Sequence, residues 1–226
     1  ALSLGVEESP PLYRVDVSAR LFLEPDGVRN ETDLDVRWVR GSLFEIDVAL
    51  PPGLKVVSVG PPDLVEAATP PQPIPSVETA AERILKVRLT PQARDSRRFT
   101  LKLTGRQAAP PRGDVRLGLF APRGAVAATA VYAVYAGRET ALEPIDEALV
   151  RDGSAAPSAV TADAAGAPSL RLRSGRNPTT LGLRLERRAR EVRRETSLAA
   201  RVTRRGVELR QETVLRVRHG VVSAVE

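Results

Sequence analysis

The sequence has no cysteine, no methionine, one histidine (His219) and only eight aromatic side chains (one Trp, three Tyr, four Phe) in 226 residues. Without cysteine there can be no disulfide framework, thiolate zinc centre or thiol nucleophile, and one imidazole cannot build a multi-histidine metal site. No run of 18 apolar residues occurs, so no segment reads as a membrane-spanning helix. With so few aromatics, leucine and valine must fill whatever core forms. Lysine is scarce as well: Lys55, Lys86 and Lys102 are three of 34 cations, which leaves 31 arginines. Abundant alanine, proline and glycine accompany this bias, as a GC-rich bacterial genome would produce. The net charge of +6 therefore reflects base composition as much as an anionic partner. A chain opening Ala1-Leu2-Ser3-Leu4 reads as a product trimmed of a signal or as a piece of something longer.

What the sequence does have is alternation. After a Pro-punctuated lead-in, Tyr13, Val15 and Val17 alternate with Arg14, Asp16 and Ser18, and Leu21 and Leu23 continue the apolar parity. That is a strand with one wet face. Glu24-Pro25-Asp26-Gly27 is a turn, after which Leu34, Val36 and Trp38 oppose Asp33, Asp35 and Arg37. Phe44, Ile46, Val48 and Leu50 form the apolar face of a third strand, and Leu54 to Val59 reads as a more deeply buried one. Residues 60–81 hold six prolines and read as a long surface loop. Strands resume at Ile84–Leu89, at Phe99, Leu101 and Leu103, at Val115–Leu119, and in the second half of Ala125–Ala136. Short strands between turn signals, with no long helix before residue 140, predict an all-β antiparallel sandwich of immunoglobulin-like style. Leu34, Val36, Trp38, Phe44, Ile46, Val48, Phe99, Leu101 and Leu103 are its expected core.

Composition divides the chain into a β-sandwich domain (1–152), an Ala/Ser/Pro/Gly linker or loop (153–168) and an Arg-rich β segment (169–226). Residues 169–218 carry 15 Arg and five Glu, a charge of +10, whereas residues 1–168 carry 19 cations and 22 anions, a charge of −3. Leu181 to Arg205 fits helix or strand, and strand is preferred because of an internal match. Displacing the chain by 181 residues aligns Val17–Glu45 with Leu198–Glu226 without a gap, and ten of the 29 positions are identical. They include Ala19/Ala200, Thr32/Thr213, Leu34/Leu215 and Arg37/Arg218. This match predicts a second, incomplete β repeat with the same two-strand arrangement. The alternative is that residues 169–226 close one large sandwich.

Candidate site residues each have a bland competitor. His219 aligns with Trp38, which suggests a structural slot, and no Gly-x-Ser-x-Gly elbow accompanies it. Asp33/Asp35 and Glu45/Asp47 could serve glycosyl transfer if held together in a cleft, yet they alternate with apolar residues as solvated strand faces do. Glu143, Asp146 and Glu147 lack calcium-loop spacing. Arg112-Gly113-Asp114 matches the tripeptide of integrin ligands and also reads as a turn; Asn30-Glu31-Thr32 fits the N-glycosylation rule. The Arg cluster offers Arg187, Arg188, Arg190, Arg193, Arg194, Arg201, Arg204 and Arg205 as anion ligands, although Glu186, Glu191 and Glu195 interleave with it. Aromatic stacking residues are absent from 136 to 226.

The segment Val48-Ala-Leu-Pro-Pro-Gly-Leu-Lys-Val-Val-Ser-Val59 resembles, in general style, the β-sandwich repeats of large bacterial cell-envelope proteins; the resemblance names no family and carries over no residue. The sequence thus predicts a non-enzymatic structural or protein-interaction module of an exported bacterial envelope protein, extracellular or periplasmic. No catalytic, cofactor or metal residue is assigned. Its expected partner is another protein or further copies of the repeat. The alternative is a module that binds a polyanion, either anionic polysaccharide or nucleic acid, through the Arg-rich segment. A carboxylate-based hydrolase ranks third.

Overall fold

The structure is a computed structural model that describes residues 11–73, 83–126, 129–137, 139–146, 149–151, 168–187 and 191–218. The chain is nearly all strand and separates into two units, one of residues 1–136 with 142–185, the other of residues 137–141 with 186–226.

The first unit begins with a long hairpin, β1 (Leu12–Glu24) and β2 (Gly27–Arg40), closed by the two-residue turn Pro25-Asp26. Period-2 alternation puts Tyr13, Val15, Val17, Ala19 and Leu21 of β1 in the core, with Val28, Asn30, Thr32, Leu34 and Val36 of β2 beside them. The chain continues through β3 (Glu45–Leu50), β4 (Lys55–Gly60), β5 (Val65–Pro73), β6 (Arg83–Leu89) and a single helical turn, α1 (Pro91–Asp95). Thr90 caps that turn: its Oγ1 accepts from the Ala93 amide at 3.3 Å, and Pro91 sits where no intrahelical donor is needed. There follow β7 (Arg98–Ala108), β8 (Gly113–Gly118), β9 (Ala121–Pro122), β10 (Ala130–Tyr135), β11 (Thr140–Pro144), β12 (Val150–Arg151), β13 (Leu170–Ser174) and β14 (Thr180–Arg187).

These strands make three sheets, ordered β12-β13-β10-β1-β2-β7-β4, β5-β6-β3-β9 and β11-β14-β8. In the largest sheet the pairing is antiparallel apart from β1 against β10, which runs parallel from Val17↔Ala130 to Phe22↔Tyr135. One core joins all three sheets: Leu34 and Leu101 from the first, Ile46 and Val87 from the second, Leu117 and Leu183 from the third. This is a sandwich-like all-β architecture. Leucine and valine do fill it, with Phe120 and Tyr132 the largest fully buried aromatics. The strands β13 and β14 come from the Arg-rich segment; β13 pairs with β10 and β14 with β8, so both build the first unit's sheets. Residues 152–167, nearly all of the expected linker, lie outside the described residues.

A polar lock sits between two of the sheets. Asn30 is 1 % exposed, donates from Nδ2 to the Gly118 carbonyl at 2.9 Å, and accepts from Thr32 Oγ1 at 2.7 Å. Gln107 Oε1 accepts from the Gly118 amide at 2.7 Å. Both backbone groups of Gly118 are thus satisfied by side chains of the larger sheet, as buried polar groups require. Gly118 itself must lack a side chain, since a Cβ would stand 2.9 Å from Pro51 Cγ and 3.1 Å from Gln107 Oε1. Asn30 fits the glycosylation rule in sequence, yet its amide is consumed in the core.

The structure corrects three local expectations. Phe44 is 56 % exposed; Leu43 is buried in its place, because residues 42–44 are not yet strand and alternation begins only at Glu45. Arg94 covers the displaced ring, its guanidinium 4.9 Å from the centroid. Of the run Leu54–Val59 only Leu54 is fully buried: β4 is an edge strand, Val56 and Val59 are half-buried, and Val57 is exposed. The Pro-rich stretch contains β5 as well as loop. It is another edge, paired with β6 through register shifts between Val65 and Ala67 and between Thr69 and Gln72, and edges and bulges are where a sheet tolerates proline. Trp38 is half-buried, its Nε1 donating to the Arg40 carbonyl at 3.1 Å.

The second unit is dominated by a two-stranded ribbon, β15 (Glu191–Thr203) and β16 (Gly206–Arg218), joined by the turn Arg204-Arg205. Equality of arrangement with β1–β2, expected from the 181-residue match, stops at the level of an antiparallel hairpin with a two-residue turn. The offset carries Pro25-Asp26 to positions 206–207, whereas the turn lies at 204–205. Leu198 consequently faces Gln211, although its aligned residue Val17 faces Leu34. The reason is the glycine: Gly27 and Gly206 each follow the turn directly, a position glycine favours, and the displacement places Gly206 opposite Pro25 instead.

Candidate functional site

The ribbon's register sorts its side chains onto two faces, since directly opposite residues of an antiparallel pair share a face and neighbours along a strand do not. On one face lie Arg193, Glu195, Ser197, Ala199 and Arg201 with their partners Arg216, Val214, Glu212, Arg210 and Glu208. On the other lie Val192, Arg194, Thr196, Leu198, Ala200 and Val202, with Leu215, Thr213, Gln211, Leu209 and Val207 from β16. The first face is charged and mixed in sign. The second is mainly apolar, interrupted by Arg194, Gln211 and the Thr196–Thr213 pair, whose hydroxyl oxygens lie 3.4 Å apart.

Among the described residues of its unit, none covers the apolar face. Val202 is 77 % exposed, Leu198 and Leu209 are each 66 %, and Val207 is 63 %. Fully burying a leucine or valine is worth about 1.5–3 kcal/mol over leaving it in water. An isolated two-stranded hairpin is at best marginally stable in water. The ribbon therefore stands to gain most from a partner that covers this face. Contiguous exposed apolar surface rimmed by polar residues is also the usual mark of an interaction site.

Of the eight arginines proposed as anion ligands, the six described ones do not converge. Arg193 and Arg201 share the charged face, Arg194 lies on the apolar one, and Arg204 and Arg205 form the turn. Arg187 ends β14 with Glu139 4.0 Å away. Arg188 and Arg190 lie outside the described residues, as does His219. On the charged face Glu195 is 3.9 Å from Arg193 and 3.6 Å from Arg216, and Arg201 stands opposite Glu208. Four arginines there meet three glutamates, so little uncompensated positive charge is displayed.

Asp35, Glu45, Asp47 and Asp114 are each paired with a cation. Asp35 accepts from Arg98 Nε at 3.0 Å and Nη2 at 2.7 Å, and from Arg37 at 3.3 Å. The Arg98 hydrogen bonds lead in holding its carboxyl below the ordinary carboxylate value. Asp33 faces Lys102 across the sheet; Glu45 binds Lys86 Nζ at 2.8 Å, with Asp47 at 3.8 Å. Asp114 of the Arg-Gly-Asp tripeptide is tied to Arg184 at 2.7 Å, which likewise lowers its carboxyl. These shifts run opposite to those a general acid at neutral pH requires. Asp146 accepts from the Gly182 amide at 2.8 Å, and Glu147 lies outside the described residues. The Tyr13 hydroxyl, which donates to the Arg123 carbonyl, is pushed up to about 12 by burial and then by Asp47. Among the described residues no three His, Asp or Glu side chains are grouped to hold a metal ion. No helix there is long and apolar enough to cross a membrane.

Sequence reading passed over the exposed apolar residues Leu198, Val202, Val207 and Leu209. Their signal was present: apolar alternation on both sides of a glycine-closed turn. The density of arginine drew attention to the other face.

No family model and no curated protein matches the sequence. Among solved structures, the chain is similar to Legionella pneumophila aminopeptidase A in complex with aspartic acid (TM-score 0.41, 13 % identity, 90 % of this chain and 24 % of that one). It is also similar to native leukotriene A4 hydrolase from Saccharomyces cerevisiae (TM-score 0.41, 10 % identity, 84 % and 30 %). A third likeness is to the Fcho1 Mu homology domain of Danio rerio with bound Eps15 peptide (TM-score 0.19, 12 % identity, 91 % and 90 %). The chain spans about a quarter and under a third of the two enzyme chains. At these scores the likenesses carry no functional argument.

Proposed function

We propose that the chain is a non-enzymatic structural and protein-interaction module whose contact element is the β15–β16 ribbon. The observation that carries this reading is the ribbon's division into an uncovered apolar face and a charge-balanced one. Layered β architecture stabilises an amphipathic sheet by laying its apolar face on another element. A setting in the envelope of a bacterium belongs to the same proposal and rests on the composition and on the style of the strand sequences. Polyanion binding is the weaker reading, because the arginines that would carry it are split between two faces and a turn.

A photo-crosslinking amino acid at position 209, on the apolar face, tests the proposal against the same probe at position 210, on the charged face. Covalent protein adducts are expected from 209 and not from 210. Equal yields from both positions, or none from 209, overturn the reading. On heparin resin the chain should elute at low salt. Retention to high salt that is lost when Arg193 and Arg201 become glutamate would establish the polyanion reading instead.

A further inference from the structure

Resting on that reading of the ribbon, we infer that its apolar face is covered by the same face of a second copy of this chain, the two ribbons stacked antiparallel as a two-layer sandwich. A flat strand-pleated face is covered along its whole length by another sheet face. A strand added to a ribbon edge would satisfy backbone groups but leave Leu198, Val202, Val207 and Leu209 in water. A lipid surface is a poor cover, because both outer edges of a two-stranded ribbon present unpaired N–H and C=O groups that hydrocarbon cannot satisfy.

A second ribbon matches the first in length, breadth and sequence pattern. A two-fold axis between the layers, crossing the strands at the Ser197–Glu212 pair, places position 192 over 202, 194 over 200, 209 over 215 and 211 over 213. Val192 then meets Val202, and Leu209 meets Leu215. The long Arg194 lies over Ala200, the smallest side chain of the face, with its stem on apolar surface and its head free to reach the edge. Gln211 comes over Thr213, where the two can hydrogen-bond, while Thr196 comes over Leu198 with its methyl group available to pack. Arg193, Glu195, Arg201, Glu208, Arg210, Glu212 and Arg216 all remain on the outer, solvated faces. Such a contact is isologous, as two-fold symmetry demands.

The size of the contact sets its strength. Thirteen residues at roughly 3.4 Å rise and two strands abreast give a face of roughly 40 by 10 Å, so two copies cover roughly 800 Å² between them. That lies below the roughly 1,200 Å² at which stable specific interfaces begin, so the dimer it implies is weak, transient and concentration-dependent.

Sedimentation velocity of the full chain, from low to high micromolar concentration, is the test. The expected result is a reversible shift from 24.4 kDa to twice that mass, abolished in the double variant Leu198→Glu/Leu209→Glu and retained in Arg210→Ser on the charged face. Both apolar positions are two-thirds exposed, and an unchanged far-ultraviolet dichroism spectrum verifies that the variant is folded. A dimer that persists in the double variant uses another surface and overturns the inference. A chain monomeric throughout overturns it too. In that case crosslinking from position 209 to a different protein preserves the interaction reading, and its absence removes both.

Discussion

The β1–β2 hairpin and the β15–β16 ribbon carry nearly the same pattern and sit in opposite environments. In the first, Val17, Ala19, Leu21, Val28, Asn30, Thr32, Leu34 and Val36 are all withdrawn from water. Adding 181 to all but the last of those numbers gives Leu198, Ala200, Val202, Leu209, Gln211, Thr213 and Leu215, members of the ribbon's apolar face. Of these seven, six are exposed and Leu215 is half-buried. The register differs by four residues between the hairpins, but four is an even number, so the side-chain faces are kept. Alternation therefore specifies which side of a hairpin is apolar. It does not specify whether anything lies on that side.

The comparison breaks most sharply at the leucines. Leu34→Ala removes a fully buried side chain between packed sheets and should cost about 2–5 kcal/mol. Leu209→Ala, on the open face, should stay within about 0.5 kcal/mol for the monomer. Urea denaturation of the two variants measures both. Near-equal losses would mean that the ribbon face is covered within the single chain.

A smaller contrast is expected at the aligned amides. Asn30→Ala strands the Gly118 carbonyl inside the core and should cost about 1–3 kcal/mol. Gln211→Ala, at an exposed position, should change stability by less than about 0.5 kcal/mol. The same denaturation curves decide this. A neutral Asn30→Ala would show that the polar lock adds nothing beyond packing.

The smallest effect concerns the wet side of the first hairpin. Asp35 is held below its ordinary value, chiefly by the Arg98 hydrogen bonds, so its contribution is present in full above the unfolded carboxylate value near 4. That contribution disappears as pH falls through the lower folded value. Arg98 is two-thirds exposed, and solvent screening limits the gain to under about 1 kcal/mol. Asp35→Asn should lower stability by that amount at pH 7 and by progressively less below about pH 4. Stability profiles against pH for the two proteins check the sign. An Asn variant that loses the same stability at pH 2 as at pH 7 would refute the ion pair as the cause.

Much of the architecture was legible in order of residues. The strands of Tyr13–Leu21, Leu34–Val36 and Phe99–Leu103 follow directly from period-2 alternation, and eight of the nine expected core residues are buried or half-buried. Phe44 escaped because residues 42–44 are irregular and do not yet follow the parity of the strand that starts at Glu45, which composition cannot register. The β5 strand was hidden by prolines whose tolerance depends on edge position, a property of the sheet and not of the segment. The charged candidates depend on tertiary structure for a related reason. Asp33, Asp35 and Glu45 look alike in sequence whether solvated, catalytic or paired, and only cross-strand register shows Lys102, Arg98 and Lys86 beside them.

By itself the sequence determined three things about this protein. Lacking cysteine and nearly all histidine, it ruled out whole classes of chemistry. Through alternation and turn glycines it dictated strands, and through leucine and valine it chose the material of the core. Those are local properties, set by backbone sterics and by the two-residue period of a strand. Tertiary structure alone decided which strands became edges, which carboxylates met cations, that β1 and β10 run parallel, and that one apolar hairpin face is buried while its counterpart meets water. Each of these depends on residues far apart in the chain. The 88 positions separating Asn30 from Gly118 leave no trace in either segment of the hydrogen bond that joins them.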